Sequence, residues 1–336
     1  MGITLGAGLG LAWGLGVVHT AVVLRNPPRR GATWALAKNA PEDPMQASAG
    51  RAKFETWRFA YGGGAGGERG GECEVWEIAG QRADGPVVIF SHGWGESKVT
   101  SLNRLWWLRR IGARVIMWDL AGHGDVPSRG DGRGAKRVAA GSQSSLGTRE
   151  VDDLVALVKQ VVREGERVVL AGFSLGAGVS IAAAADERLR GIVRMVVAEA
   201  PYGLPQTPAE RVMRLRGVVR WRGSVLSAVW LAGVMGRVRG AMGGGWMKAG
   251  GSFDRAEHAK RLRCPLVVLH SEDDEVCPIA DGRAIAHAAG AWATLHEVRG
   301  CSHAGFWDDQ LRGEAAVKVI ESVLAGADIR GAGAKG

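Results

Sequence analysis

Four cysteines in 336 residues, Cys73, Cys264, Cys277 and Cys301, form no C-x-x-C pair and stand in no Cys/His cluster at metal-ligand spacing. That excludes a disulfide-stapled mini-protein, a zinc module and a dithiol redox motif. Cys264 and Cys277 flank one strand-like run at opposite ends, about 20 Å apart by chain rise and too far to bridge. No recognised nucleic-acid module accompanies the basic balance of 43 Lys and Arg against 34 Asp and Glu. The formal charge of +9 therefore does not by itself imply a nucleic-acid partner. Neither collagen-like nor disordered composition is present: 46% of residues are hydrophobic and 23% charged, as in an ordinary globular chain. The length suits one large domain with an insertion, or two domains.

Charge is also absent from the 22 residues Ile3 to Leu24. As a helix they would rise about 33 Å, enough for a hydrocarbon core of roughly 30 Å. Glycines at 6, 8, 10, 14 and 16 weaken such a helix in water but are tolerated in a membrane, and Arg25, Arg29 and Arg30 around Pro27-Pro28 mark its end. The expectation is a single-pass membrane anchor with its basic flank over residues 1–30, followed by an irregular linker over 31–53. Three arginines after the span and none before it place the carboxyl-terminal bulk in the cytoplasm. The alternative, a cleaved signal peptide releasing a secreted or periplasmic protein, lacks a basic n-region and a clear A-x-A site.

Beyond the linker, Phe54 to Ala60 and Cys73 to Ile78 read as a hairpin joined by a glycine-rich connection. The pattern then changes. Val87–Phe90, Val115–Trp118, Val168–Leu170, Met195–Val197 and Leu266–Leu269 are continuous apolar runs, as in strands buried on both faces. Segments of helical period separate them. Thr148 to Arg163 is the clearest, with Val151, Leu154, Val155, Val158 and Val162 on one face and Thr148 at the N-cap. Alternating strands and helices predict a mostly parallel, doubly wound α/β sheet with ligands outside the carboxyl ends of its strands.

Those strand ends carry the chemistry. Gly172-Phe173-Ser174-Leu175-Gly176 follows the Val168 strand and precedes a small-residue helix, the order strand, G-x-S-x-G, helix. A nucleophile on so tight a turn is strained, and glycines on either side let neighbouring backbones approach. Ser91-His92-Gly93-Trp94-Gly95 follows the Val87 strand as a glycine-bearing loop. Acyl transfer develops an oxyanion, and the backbone N–H groups of Trp94 and Leu175 are the expected donors to it, His92 being structural. After the Leu266 strand comes the acid-rich turn His270 to Pro278, and after the run Ala293 to Val298 comes Gly300-Cys301-Ser302-His303. His303 would take the proton of Ser174, and a carboxylate from the acid-rich turn would orient it.

Together HGWG, DLAGHG (Asp119 to Gly124), GFSLG, SEDDEVCP and GCSHAGF resemble the α/β-hydrolase superfamily, in its Hydrolase-4-like and dienelactone-hydrolase-like esterase branches. The resemblance covers about residues 54 to 325. It implies an α/β-hydrolase domain over 54–330, with helices on both faces of the sheet and an inserted helical cap or lid over 201–263. It places the acid on Asp274, four residues before Pro278, with Asp273 as the alternative, and makes His123 part of a structural turn. In this sequence Asp125-Val126-Pro127 and a loop rich in Gly, Arg and Ser replace the small residue that often follows G-H-G, which reshapes one wall of the pocket. His258, His287 and His296 are expected to be non-catalytic, and Cys301 to be packing.

The cap segment holds twelve basic against three acidic residues, an excess equal to the formal charge of the whole chain. Arginines interleave with Val212, Leu215, Val218, Val219 and Trp221, ahead of the apolar Val225 to Met235. Such a stretch reads as a solvated arginine face over an apolar lid, or as contact with an anionic membrane surface. The expected function is a serine hydrolase acting on an ester or lipid-like small-molecule acyl substrate through an acyl-Ser174 intermediate, needing no cofactor and no metal. An acyltransferase, thioesterase or peptidase using the same triad is the alternative chemistry, and a binding module that retains only the fold is the non-enzymatic alternative.

Overall fold

The computed structural model describes residues 2–60, 72–125, 143–215 and 254–332. Among these residues eight strands form one sheet: β1 (Phe54–Ala60), β2 (Glu72–Ala79), β3 (Val87–Ser91), β4 (Arg114–Trp118), β5 (Val168–Phe173), β6 (Val193–Glu199), β7 (Leu266–Ser271) and β8 (Ala293–Val298). Their order is β1-β2-β4-β3-β5-β6-β7-β8. β1 and β2 pair antiparallel, β2 pairs antiparallel with β4, and every pairing from β4 to β8 is parallel. The described helices are α1 (Gly2–Arg25), α2 (Ala32–Ala37), α3 (Pro44–Ala47), α4 (Leu105–Ile111), α5 (Arg149–Val161), α6 (Leu175–Ala184), α7 (Gln206–Leu215), α8 (Arg255–Ala259), α9 (Ile279–Ala289) and α10 (Gln310–Ala332). This is the doubly wound α/β sheet that the alternating runs predict.

The continuous apolar runs have a direct cause. In β3, Val87 and Ile89 join one core with Leu154 and Val158 of α5 and Val179 and Ile181 of α6. Val88 and Phe90 face the other way, into a second core with Leu105 and Leu108 of α4 and Val317, Ile320 and Leu324 of α10. Because successive side chains alternate faces, a strand covered by helices on both sides must be apolar at every position. Each such Val, Leu, Ile or Phe side chain contributes about 1.5–3 kcal/mol by leaving water.

Thr148 occupies the N-cap of α5, but its hydroxyl donates to Ser145 O at 3.1 Å rather than capping the helix. The buried Glu150 carboxylate gathers that loop instead, accepting from Ser144 Oγ at 3.0 Å, Ser145 N at 2.7 Å and Gly147 N at 3.0 Å.

The amino-terminal region departs from expectation. Residues 3–24 are helical, but among the described residues no helix is long and apolar enough to cross a membrane. The membrane anchor, and membrane association through it, is therefore corrected. Val17, Ala21 and Leu24 are buried, and Arg25 O accepts the Ser144 N–H at 3.0 Å. A charge-free helical run does not encode whether its apolar face meets lipid or protein. Here the carboxyl-terminal turns of α1 meet protein. Residues 31–53 are likewise more than an irregular linker: they include α2 and α3, with Ala35 and Ala52 packed into the core beside α4. Asp43 caps α3 by accepting from Gln46 N at 2.7 Å. Of the expected cap, α7 and α8 are described; Val218, Val219, Trp221 and the run 225–235 lie outside the described residues, as do the glycine-rich connection of the hairpin and 126–142.

Candidate active site

Ser174 stands between β5 and α6 with φ 51 and ψ −110, a left-handed conformation that costs a non-glycine residue about 1–3 kcal/mol. The surroundings impose it. A Cβ on Gly172 would lie 2.3 Å from Gly176 O, and one on Gly176 would lie 1.9 Å from Ser91 O. Both glycines are required because the backbones of the turn and of β3 touch. The Ser174 N–H donates to Glu199 O at 2.9 Å and its carbonyl accepts from Gly178 N at 3.1 Å, pinning the turn between β6 and α6.

The Ser174 hydroxyl is 3.0 Å from Nε2 of His303, whose Nδ1 is 2.7 Å from Oδ2 of Asp274. An ionised carboxylate only accepts, so Nδ1 carries the hydrogen and Nε2 is left to accept from the serine. The other Asp274 oxygen accepts from Val276 N at 2.8 Å and Cys277 N at 2.7 Å. The acid-rich turn grips the histidine loop with four consecutive carboxylates. Glu272 takes Arg299 Nε at 2.8 Å, Asp273 takes Gly300 N at 2.7 Å, Asp274 takes the imidazole, and Glu275 takes His303 N at 2.9 Å. Asp273 thus ties backbone, and Asp274 is the acid placed against the ring.

Gly93 brings the Trp94 loop against the Ser174 turn, since a Cβ there would lie 2.8 Å from the Phe173 ring. His92 is wholly buried: Nδ1 donates to Gly93 O at 2.8 Å and Nε2 accepts from Leu120 N at 3.0 Å. Burial, with His123 adding to it, pushes the His92 pKa down to about 3. His123 is buried against Ala121 O, and its pKa is also lowered by burial. Both imidazoles hold backbone. Asp119 of the DLAGHG turn accepts from Lys98 Nζ at 2.9 Å; burial alone would raise its carboxyl pKa, and the Lys98 ammonium holds it below the ordinary value.

Trp94, Leu175, Ser174 and His303 line one cavity of about 150 Å³, whose other walls are largely apolar: Leu24, Leu146, Tyr202, Ala209, Val212 and Val276. Arg30 and Glu96 are its charged members. Burial raises the Glu96 pKa, opposed by Arg104, and among the described residues Oε2 of Glu96 has no hydrogen-bond partner. A larger hollow of about 240 Å³ around Ala185, Arg190 and Trp292 includes none of the residues facing Ser174. Among the described residues no group of three or more His, Cys, Asp or Glu is placed to hold a metal.

The sequence profile of the alpha/beta hydrolase family matches residues 88–316. The chain belongs to this family. Among solved structures, the esterase Pf2001 of Pyrococcus furiosus is similar at a TM-score of 0.60 and 16% identity, over 90% of this chain and 98% of that one. A hydrolase from Pseudomonas aeruginosa PA01 is similar at 0.50 and 21%, over 80% and 97% of the two chains. A puromycin hydrolase is similar at 0.53 and 16%, over 82% of this chain and 39% of that one. At these identities the likeness is one of fold. Curated proteins contain no match to the sequence.

Several residues of this α/β hydrolase's site escaped sequence reasoning. Glu199 at the end of β6 takes Arg104 Nε and Nη2, both at 2.7 Å, and Trp307 Nε1 at 2.8 Å, while the Arg104 guanidinium lies 4.4 Å from the Phe173 ring centroid. This buried group backs the Ser174 turn. The strand-end rule that located Ser174 also points at Glu199, but its partner Arg104 is 95 positions away and carries no motif. Cys277 Sγ is 4.0 Å from Ser174 Oγ, and burial, with Asp274 beside it, pushes the thiol pKa well up. It is a neutral neighbour of the hydroxyl. Leu24 and Arg30 belong to a segment whose sequence reads as membrane anchor.

Proposed function

We propose that the protein is a serine hydrolase that cleaves a carboxylic ester or related acyl bond through an acyl-Ser174 intermediate. Ser174 Oγ attacks the substrate carbonyl as His303 Nε2 takes its proton. Asp274 keeps the proton of Nδ1 in place and stabilises the imidazolium that forms. The carbonyl oxygen, now negative, is met by the backbone N–H groups of Trp94 and Leu175, each such donor contributing about 3 kcal/mol to the transition state. Collapse expels the alcohol, which leaves with the proton from His303. Water, activated by the same imidazole, then attacks the acyl-enzyme and frees Ser174.

The observation that carries this reading is the continuous chain Ser174–His303–Asp274, at 3.0 and 2.7 Å, opening on the apolar cavity. The apolar walls favour an uncharged acyl chain, whose length the cavity limits. The test is hydrolysis of short and long p-nitrophenyl esters, with fluorophosphonate labelling, by the full chain and by Ser174→Ala. Labelling lost in the variant, with turnover reduced about 10⁴-fold or more, supports the mechanism. Folded wild-type protein that neither labels nor turns over any acyl substrate overturns it.

A further inference from the structure

One wall of the cavity comes from outside the stretch shared with the family: Leu24 and Arg30 line it, whereas the family match begins at residue 88. The segment from 24 to 32 leaves α1 and runs against the loop that carries Trp94. Trp94 Nε1 donates to the Leu24 carbonyl at 2.8 Å, and the Ser97 hydroxyl donates to the Arg30 carbonyl. Between these two ties the Pro28 ring lies over Gly95, where a Cβ would come 3.4 Å from Pro28 Cδ. On its other side the segment is fastened to the loops beyond β4 and before α5. Ser144 N donates to Arg25 O at 3.0 Å, Gln143 Nε2 to Asn26 Oδ1 at 3.3 Å, and Ala32 N to Asp125 Oδ2 at 2.7 Å. Pro27 and Pro28 limit the backbone freedom of the segment between these fastenings.

The Trp94 loop needs such support. It holds two glycines, Gly93 and Gly95, and Gly95 has φ +74. Glycines leave a loop with much conformational freedom to lose. An oxyanion donor accelerates acyl transfer only if it is already oriented when the charge forms, because reorientation during the reaction costs what the interaction returns. Within the loop Glu96 N reaches back to Gly93 O at 3.1 Å, and Ser97 N reaches forward to Thr100 Oγ1 at 2.9 Å. The ties to residues 24 and 30, with Lys98 N on Asp119 Oδ1 at 2.8 Å just beyond them, fix the loop against the rest of the molecule.

We propose that residues 24–32 are a strap belonging to the active site, which holds the Trp94 N–H in the geometry the oxyanion requires. The Trp94 indole and the Ser97 hydroxyl are the positioning groups through which it acts. The inference rests on the acyl-Ser174 reading, and it differs from that reading in what it predicts. Loosening the strap weakens stabilisation of the transition state and leaves ground-state binding in the apolar cavity nearly intact.

The test uses the full chain with Ser97→Ala, Trp94→Phe and Ser97→Thr, first labelled with a fluorophosphonate and then assayed on a p-nitrophenyl ester. Ser97→Ala and Trp94→Phe should each lower kcat about tenfold, the equivalent of one hydrogen bond, with KM within about twofold. Affinity for a trifluoromethyl ketone, which forms a charged tetrahedral adduct with the serine, should fall by the same factor. Ser97→Thr, which keeps the hydroxyl, should restore both. Asp43→Ala removes the cap of α3 in the same amino-terminal region and should leave kcat unchanged even where it lowers Tm. Unchanged kcat and ketone affinity in Ser97→Ala and Trp94→Phe, or a loss expressed only in KM, overturns the strap while leaving the Ser174 reading standing. Wild-type protein that fails to label overturns the Ser174 reading, and the strap's role with it.

Discussion

The Ser174 turn at 172–176 and the strap at 24–32 end at the same cavity but are held by different physics. At the turn the constraint is space: a Cβ on Gly176 would meet the backbone carbonyl of Ser91 at 1.9 Å, and that carbonyl cannot move without β3. At the strap a Cβ on Gly31 would come equally close, 1.8 Å, but to the carboxylate tip of Asp125. That side chain can swing away, and what is lost is its hydrogen bond from Ala32 N. A site can thus combine a rigid part that tolerates no added atom with an adjustable part secured by replaceable polar ties.

The contrast is open to direct attack. Gly176→Ala should be the most damaging change, costing about 4 kcal/mol or more through the backbone clash, seen as lost soluble expression or a collapse of the thermal transition. A variant that melts like wild type and still labels would show that turn and strand separate easily. The loop that both regions touch should respond to acid. Folded His92 stays neutral to about pH 3 whereas the unfolded side chain titrates near 6.5, so its contribution is fully present above pH 6.5 and declines as pH falls toward 3. That share amounts to about 2 kcal/mol lost between pH 7 and 5, measured as the difference between wild-type and His92→Asn urea titrations. Parallel titrations would show that the imidazole is free to protonate in the fold. Gly31→Ala should cost only about 1 kcal/mol, one exposed hydrogen bond, and shift Tm by a few degrees. A cost matching Gly176→Ala would erase the distinction between the two regions. Arg283→Ala, which breaks an exposed pair with Glu297 far from either region, should change stability by less than about 0.5 kcal/mol. A larger loss would mean that the edge at β8 is coupled to the site.

How much was legible follows the same division. The strands were readable because burial on both faces forces uninterrupted apolar runs, and Gly172, Ser174 and Gly176 because close backbone approach leaves glycine as its mark. Asp274 was separable from Asp273 only through the family resemblance, since both lie in one acidic turn and both bond to the loop before α10. Thr148 shows the reverse: the residue type suits a cap, yet Ser145 O takes its hydroxyl. The strap was misread because most of its ties end on its backbone, at the carbonyls of Leu24, Arg25 and Arg30 and the N–H of Ala32, and a backbone group has no side-chain signature.

By itself the sequence determined the parallel sheet, the strained serine turn and the chemical types that gather at the strand ends, because periodicity, glycine placement and titratable side chains are local properties of the chain. Tertiary structure alone decided that Arg104 meets Glu199 behind Ser174, and that the charge-free amino-terminal helix ends against the Trp94 loop. Each of those depends on which distant surfaces come into contact, and burial and hydrogen bonding between distant segments leave no periodic trace in the sequence.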